Sequence, residues 1–244
     1  MEFFVADTYE NLSRQAAGHV MRLLQSFTNP LLCTASGDTP AGLYKEIVDR
    51  VNKTGLNISN WSFVGLDEWV GMNETDEGSC HYYLNNQLFY PLKVVKSKIA
   101  FFDGRVKDLK KECETIEAFI LQHKGIDIAI LGLGMNGHIG MNEPGTSPEL
   151  RSHITALDPV TQKTGQKYFK NQQQLTNGIT LGLTTIMESK HIFLLVSGSH
   201  KAAIVNKMLS NGVSEQLPCS LLRNHPGLKI YLDADAAASI QSKL

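Results

Sequence analysis

No stretch of the 244-residue chain approaches the roughly 20 consecutive apolar residues of a membrane-spanning helix. The N-terminus, MEFFVADTYENLSRQ, lacks the basic start, long apolar run and small-residue cleavage site of a secretory signal. An excess of either charge is also missing. The 23 Lys and Arg against 24 Asp and Glu leave a formal net charge of −1, so nothing electrostatic calls for nucleic acid or an anionic membrane as partner. Cysteine is scarce and scattered: Cys33, Cys80, Cys113 and Cys219 form no CxxC pair. Neither a metal site nor a disulfide frame is expected, and the thiols read as reduced ones in a cytoplasmic protein. Proline and glycine gather in no linker, and there is no repeat or low-complexity tract. With 42% hydrophobic residues, the chain is expected to bury one sizeable core, with residues 1–244 forming a single domain.

Apolar runs and helical patterns alternate along the whole chain. Phe3–Ala6 reads as a strand, followed by a helix to about Leu24 with Asp7 as its cap and Glu10 at capping-box spacing. Leu31–Thr34, Phe63–Leu66, Ile126–Leu131, His191–Val196 and Leu228–Leu232 read as strands, with Lys98–Phe102 at an edge. His153–Leu157 and Gly178–Leu183 are further short strands. Helices are predicted over Ala41–Val51, Cys80–Tyr90, Val106–His123, from Asp158 to about Phe169, from His200 to Leu209, over Cys219–Asn224 and over Asp235–Lys243. Most strands are apolar on both faces, as in a parallel sheet covered by helices. The predicted fold is a three-layer α/β/α sandwich around a mainly parallel, Rossmann-like sheet.

The chemistry concentrates at the ends of these strands, where open α/β sheets bind their ligands. The apolar run Ile126–Leu131 breaks into a glycine loop, LGLGMNGHIGMNEPGTS, that carries Asn136, His138, Asn142 and Glu143. Glu143 is placed to orient the imidazole of His138 as the acid of a triad does. A strand also ends in Ser36, Gly37, Asp38 and Thr39, with Pro40 in the first turn of the next helix. Free backbone N–H groups and the helix dipole suit such a junction to a phosphate, although the same residues can simply cap a helix. Asp67 and Glu68 close another strand as a candidate acid/base pair; the plainer alternative has one capping a turn and the other in solvent. Lys201, in a helical first turn, opposes the dipole and so points to an anion. Gly132, Gly134 and Gly137 satisfy GxGxxG, but Pro144 follows too soon for the helix a dinucleotide loop must open.

Together, TASGDTPAGLY (34–44), FVGLDEW (63–69), LGLGMNGHIGMNEPGTS (131–147), GITLGL (178–183) and LLVSGSHKA (194–202) resemble the glucosamine-6-phosphate deaminase (isomerase) family. The 6-phosphogluconolactonases are its more distant relatives. Asp67-Glu68-Trp69 and Asn142-Glu143-Pro144 lean to the aminosugar side. The resemblance implies that a hexosamine 6-phosphate is isomerised from aldose to ketose and deaminated, in a hydrolase-type reaction. It implies that Ser36, Gly37, Asp38, Thr39, Lys201 and Lys167 bind the phosphate. Asp67 is implied as the base between C2 and C1, and His138, supported by Asn136 and Glu143, as the ring-opening group. No metal or organic cofactor is implied. A mobile lid is implied near residues 158–177. A lactonase-type hydrolase and a non-catalytic sugar-phosphate sensor are the alternatives.

The departures from the family pattern carry expectations of their own. Enterobacterial-type members have Asp where this chain has Asn136. Lys167 stands where the lid usually offers Arg, so it binds as a point charge without a bidentate fork. His153 and Thr155 replace the Arg and Lys of the allosteric hexamers, so no activation by N-acetylglucosamine 6-phosphate is expected, and homo-oligomerisation is left open. Trp69, Gly78-Ser79-Cys80 and GITLGL (178–183) resemble the galactosamine-6-phosphate branch, which the resemblance favours and which yields tagatose 6-phosphate; the glucosamine branch would yield fructose 6-phosphate.

Overall fold

The computed structural model describes residues 1–240. In chain order it contains β1 (Glu2–Ala6), α1 (Tyr9–Leu24), β2 (Leu31–Thr34), α2 (Asp38–Thr54), β3 (Ser62–Gly65), β4 (Asp67–Trp69), α3 (Cys80–Leu84), β5 (Ile99–Ala100) and α4 (Leu109–Gln122). There follow β6 (Ile128–Gly132), β7 (His153–Ala156), α5 (Pro159–Gly165), β8 (Asn177–Thr180), α6 (Leu183–Met187), β9 (His191–Val196), α7 (Ala202–Ser210), α8 (Pro218–Leu221), β10 (Leu228–Asp233) and α9 (Ala234–Ala237).

Seven strands form a sheet in the order β1-β10-β9-β6-β2-β3-β5, and every pairing in it is parallel. Alternate residues of each strand feed two cores. Leu32, Phe63, Ile128, Ile130, Phe193 and Tyr231 pack under α1 and α2, against Leu12, Ala16, Leu43 and Ile47. Leu31, Cys33, Val64, Ala129, Leu131, Leu194 and Ile230 face the opposite layer, against Ile116, Ile186, Ile204 and Ala236. Parallel strands joined through helices must be covered on both faces, which is why these runs are apolar throughout. The α/β/α sandwich expected from the sequence is the fold observed.

The chain winds outward from β2 to β3 and β5 on one side, and from β6 to β9 and β10 on the other. Neighbouring β2 and β6 thus mark the topological switch point, where the loops after two adjacent strands part and leave a crevice. The loop after β2 is Ala35–Gly37, and the loop after β6 begins at Leu133.

Several local expectations are corrected. The cap of α1 is Thr8, not Asp7: Thr8 has extended backbone (φ −134°, ψ 162°) and accepts from the Asn11 N–H. Phe63–Leu66 is shifted by one residue to Ser62–Gly65, and Asp67–Trp69 leaves the main sheet. It pairs antiparallel with β8, which pairs with β7, in a second sheet of three strands. Gly178–Leu183 is divided, since Leu183 already opens α6. The Cys80–Tyr90 helix widens to a π-helical turn over Asn85–Phe89. Leu109, not Val106, begins α4, where the Asp108 side chain accepts from the Lys111 N–H. Of the expected terminal helix Asp235–Lys243, α9 covers Ala234–Ala237, residues 238–240 form a turn, and residues 241–243 lie outside the described part. All four cysteines are buried free thiols. Among the described residues no helix is long and apolar enough to cross a membrane.

Candidate active site

At the switch point lies a cavity of about 720 Å³. Its walls include Ser36, Gly37, Asp38 and Thr39 after β2, Asp67 from β4, Gly134 and His138 after β6, Lys167 beyond α5, and Lys201 before α7. Residues spread over more than half the sequence thus converge on one space. Asn136 and Glu143 stand behind His138 and do not line it.

Gly37 adopts φ +113°, a conformation open to glycine alone at little cost, and turns the chain into α2. The first turn of that helix has an unexpected partner. The hydroxyl of Tyr9, from α1, accepts the Gly42 N–H at 2.7 Å and donates to the Asp38 carbonyl at 2.7 Å, and so ties α1 to the first turn of α2. Gly42 makes the room, since a Cβ there would lie 2.3 Å from Ser13 Oγ and 2.8 Å from Tyr9 Oη. Tyr9 itself lines the cavity.

Two cations frame this end. Lys167 Nζ pairs with Asp38 Oδ2 at 2.6 Å. Burial works against the Lys167 charge, but the Asp38 carboxylate and the phenolic oxygen of Tyr168 outweigh it and hold the ammonium above its ordinary value. The Asp38 side chain is thus engaged by Lys167, leaving its backbone N–H as the group able to meet a phosphate. Lys201 donates to the Leu133 carbonyl at 2.5 Å. Its burial, with Lys167 adding like-charge repulsion, pushes its ammonium down to about 8.

Neither carboxylate of the Asp67-Glu68 pair is solvated. Glu68, fully buried, accepts the N–H groups of Trp69, Cys80 and His81 at 2.8–2.9 Å, and so anchors the start of α3. Asp67 is 8% exposed and faces the cavity. Burial pushes its carboxyl up to about 6, against the opposing pull of the Cys80 thiol and of His138. A carboxylate at that value is basic enough to take a proton and still ionised near neutrality.

The glycine loop is folded around a network. Asn142 Nδ2 donates to the carbonyls of Ile139 at 2.8 Å and Leu181 at 2.9 Å, clasping the loop to the end of β8. No helix opens at Gly137, so the dinucleotide reading fails on geometry. Gly134 lies flat against the His138 ring, whose atoms a Cβ would meet at 2.4 Å. The backbone N–H of His138 can only donate, so the Asn136 atom facing it at 3.2 Å is Oδ1. That same Oδ1 lies 2.7 Å from His138 Nδ1, so Nδ1 carries the proton. Nε2 is left as the nitrogen free to exchange a proton. Asn136 Nδ2 in turn donates to Glu143 Oε2 at 2.9 Å. Burial alone would raise the Glu143 carboxyl. Hydrogen bonding and charge from His138, with help from Thr161 and Asn136, hold it below the ordinary value.

The residues expected to bind the phosphate, with Asp67 and His138, line this cavity, and Asn136 and Glu143 lie directly behind His138. Sequence reading passed over Tyr9, Thr161 and Tyr168 as site residues, and all three line it. Trp69 and Cys80 also line it.

The model of the family described as glucosamine-6-phosphate isomerases/6-phosphogluconolactonase matches residues 7–230. A glucosamine-6-phosphate deaminase of Oceanobacillus iheyensis is 38% identical over 241 residues, covering 98% of this chain and 96% of that protein. One from Clostridium acetobutylicum is 35% identical over 238 residues, covering 97% of this chain and 99% of the relative. The solved structure of a monomeric glucosamine-6-phosphate deaminase superposes with a TM-score of 0.94 at 34% identity, covering 98% of this chain and 100% of that one. The 6-phosphogluconolactonase of Leishmania guyanensis, at 21% identity and a TM-score of 0.77, shares the fold. With the family model spanning nearly the whole chain and relatives above 30% identity along their full length, the chain belongs to the glucosamine-6-phosphate isomerase/6-phosphogluconolactonase family.

Proposed function

We propose that this protein is an aminosugar-6-phosphate deaminase that converts glucosamine 6-phosphate and water to fructose 6-phosphate and ammonia. The observation that carries the reading is the convergence of a raised, buried carboxylate (Asp67) and a polarised imidazole (His138) on one cavity, with two lysines and a helix N-terminus at its wall. The phosphate meets the Ser36–Thr39 turn, Lys167 and Lys201. His138 Nε2 moves the proton at the ring oxygen as the pyranose opens. Asp67 then takes the C2 proton of the open-chain aldose and returns it at C1, giving the 2-imine. Water adds to this imine, and the C2–N bond breaks as ammonia leaves.

The family also contains lactonases. The relatives most alike in sequence and structure carry the deaminase name, which supports the aminosugar reading. Galactosamine 6-phosphate is a second reading, supported by Trp69 and Cys80, both at the cavity wall. The test is to incubate the purified protein with glucosamine 6-phosphate, galactosamine 6-phosphate and 6-phosphogluconolactone while following ammonia and acid. Ammonia from an aminosugar supports the proposal and ranks the two sugars. Acid from the lactone with no ammonia contradicts it.

We propose further that residues 158–177, which carry Thr161, Lys167 and Tyr168, act as a lid over the cavity.

A further inference from the structure

Glu143 reaches His138 by more than one route. Asn136 is the first: its Oδ1 takes the Nδ1 proton at 2.7 Å, and its Nδ2 donates to Glu143 Oε2 at 2.9 Å. Thr161 is the second. It comes from the first turns of α5, is 5% exposed, and places Oγ1 3.1 Å from His138 Nδ1. The same residue helps to hold the Glu143 carboxyl below its ordinary value. A hydroxyl can accept from one neighbour while donating to another. Thr161 is thus placed to share the one Nδ1 proton with Asn136, as the longer arm of a three-centre bond, and to turn its own proton toward the carboxylate. The remaining oxygen, Glu143 Oε1, accepts the backbone N–H of Asp158, the cap of that same helix, at 3.3 Å.

We propose that Thr161 is a positioning residue of the His138 relay, a second neutral bridge parallel to Asn136 that carries the influence of Glu143 to the imidazole and makes the relay depend on the seating of α5. Two of the contacts on Glu143, from Thr161 and Asp158, arrive on that helix. Its continuation carries Lys167 to Asp38 and Tyr168 to within 3.1 Å of where a Gly37 side chain would begin. One short stretch of chain thus touches the phosphate end of the cavity with one end and the proton-transfer end with the other. Displacing α5 removes both at once.

The inference rests on the reading of His138 as the ring-opening group, and its test separates the two. Thr161→Val keeps the shape and removes the hydroxyl; Thr161→Ser keeps the hydroxyl. The first readout needs no substrate: the titration of the Glu143 carboxyl, followed by carbon NMR in the ligand-free protein. The ionisable groups around that carboxyl are His138 from the glycine loop and Asp158 from α5, whose own carboxylate accepts from the Val160 N–H. In Thr161→Val the Glu143 titration moves to higher pH, and in Thr161→Ser it stays at the wild-type position. The second readout is turnover of the aminosugar phosphate. Thr161→Val lowers kcat by about 10-fold or more, the loss expected of a hydrogen bond to a charged group, with KM within about twofold, and Thr161→Ser restores it. A Glu143 titration unmoved in folded Thr161→Val, or a kcat equal to wild type, overturns the proposal. A moved titration in a protein with no deaminase activity retains the bridge and rejects the function.

Discussion

His138 Nδ1 and Glu143 Oε2 stand 3.5 Å apart, and the shorter hydrogen bonds between them run through the side-chain amide of Asn136. A neutral amide here fixes the tautomer of the imidazole by accepting from it, and steadies the carboxylate by donating to it. Asn136→Asp exchanges the donor for a second anion beside Glu143, so one of the two carboxyls must take up a proton. The expected outcome is a kcat profile whose acid limb moves to higher pH, read from initial rates of ammonia release. Asn136→Ala removes both hydrogen bonds and lowers kcat by about 10- to 100-fold with the pH profile flattened.

Asp67 links activity and stability to the same titration. Its carboxyl lies near 6 in the folded protein against about 3.9 in an unfolded chain. Between those values the folded state binds more protons than the unfolded one, so stability falls as pH rises through the window and stays lower above it. Asp67→Asn removes that cost. Thermal unfolding at pH 7.5 should show the variant more stable than wild type by on the order of 1–3 kcal/mol, with the difference vanishing near pH 4. The same variant should keep phosphate-ligand binding and lose exchange of the C2 proton with solvent.

Lys201 gives a limit on the alkaline side. Its ammonium titrates near 8 in the ligand-free site, so KM for a sugar phosphate should rise as pH passes that value while kcat changes little. Lys201→Met should abolish this dependence and raise KM at neutral pH by about 10-fold or more, as loss of a charge-assisted hydrogen bond predicts. Inhibition by inorganic phosphate, measured across pH 6.5–9.5 (about three units around the neutral-to-basic range), reads the same group without chemistry.

Two glycine and tyrosine contacts are sharp enough to test singly. Gly134→Ala directs a methyl into the His138 ring at 2.4 Å, so it should reduce kcat with a small effect on phosphate inhibition. Tyr9→Phe removes the hydroxyl that bonds both the Gly42 N–H and the Asp38 C=O. It should cost roughly 1 kcal/mol in stability and raise KM, because the first turn of α2 then loses its tie to α1.

The elements buried on both faces were the legible ones. Leu31–Thr34 and His191–Val196 have the bounds read from the apolar runs, because the alternation of helices and fully buried strands leaves little freedom there. What local pattern could not give was pairing over long range. Asp67–Trp69 looks like the tail of its strand and instead forms a separate one, because its partner is Asn177–Thr180. Thr8 and Asp7 are both chemically fit to cap α1, and only the backbone conformation decides between them. Asp67, His138, Glu143 and Lys201 stood out as charged or titratable residues at strand or helix ends, and the family resemblance tied them together and added Lys167. Tyr9 and Thr161 did not, since each acts through one hydroxyl placed by tertiary packing, and a tyrosine or threonine in a helix carries no such mark in sequence.

The central claim is that Asp67 and His138 act on one hexosamine phosphate held in this cavity. The most direct measurement is ammonia release from glucosamine 6-phosphate by wild type, Asp67→Asn and His138→Asn, with product identified as fructose 6-phosphate and galactosamine 6-phosphate run in parallel. Stoichiometric ammonia and ketose phosphate from wild type, falling by at least about 100-fold in both variants, is the predicted result. Absence of ammonia from either aminosugar with the wild-type protein, or full activity in either variant, would contradict it.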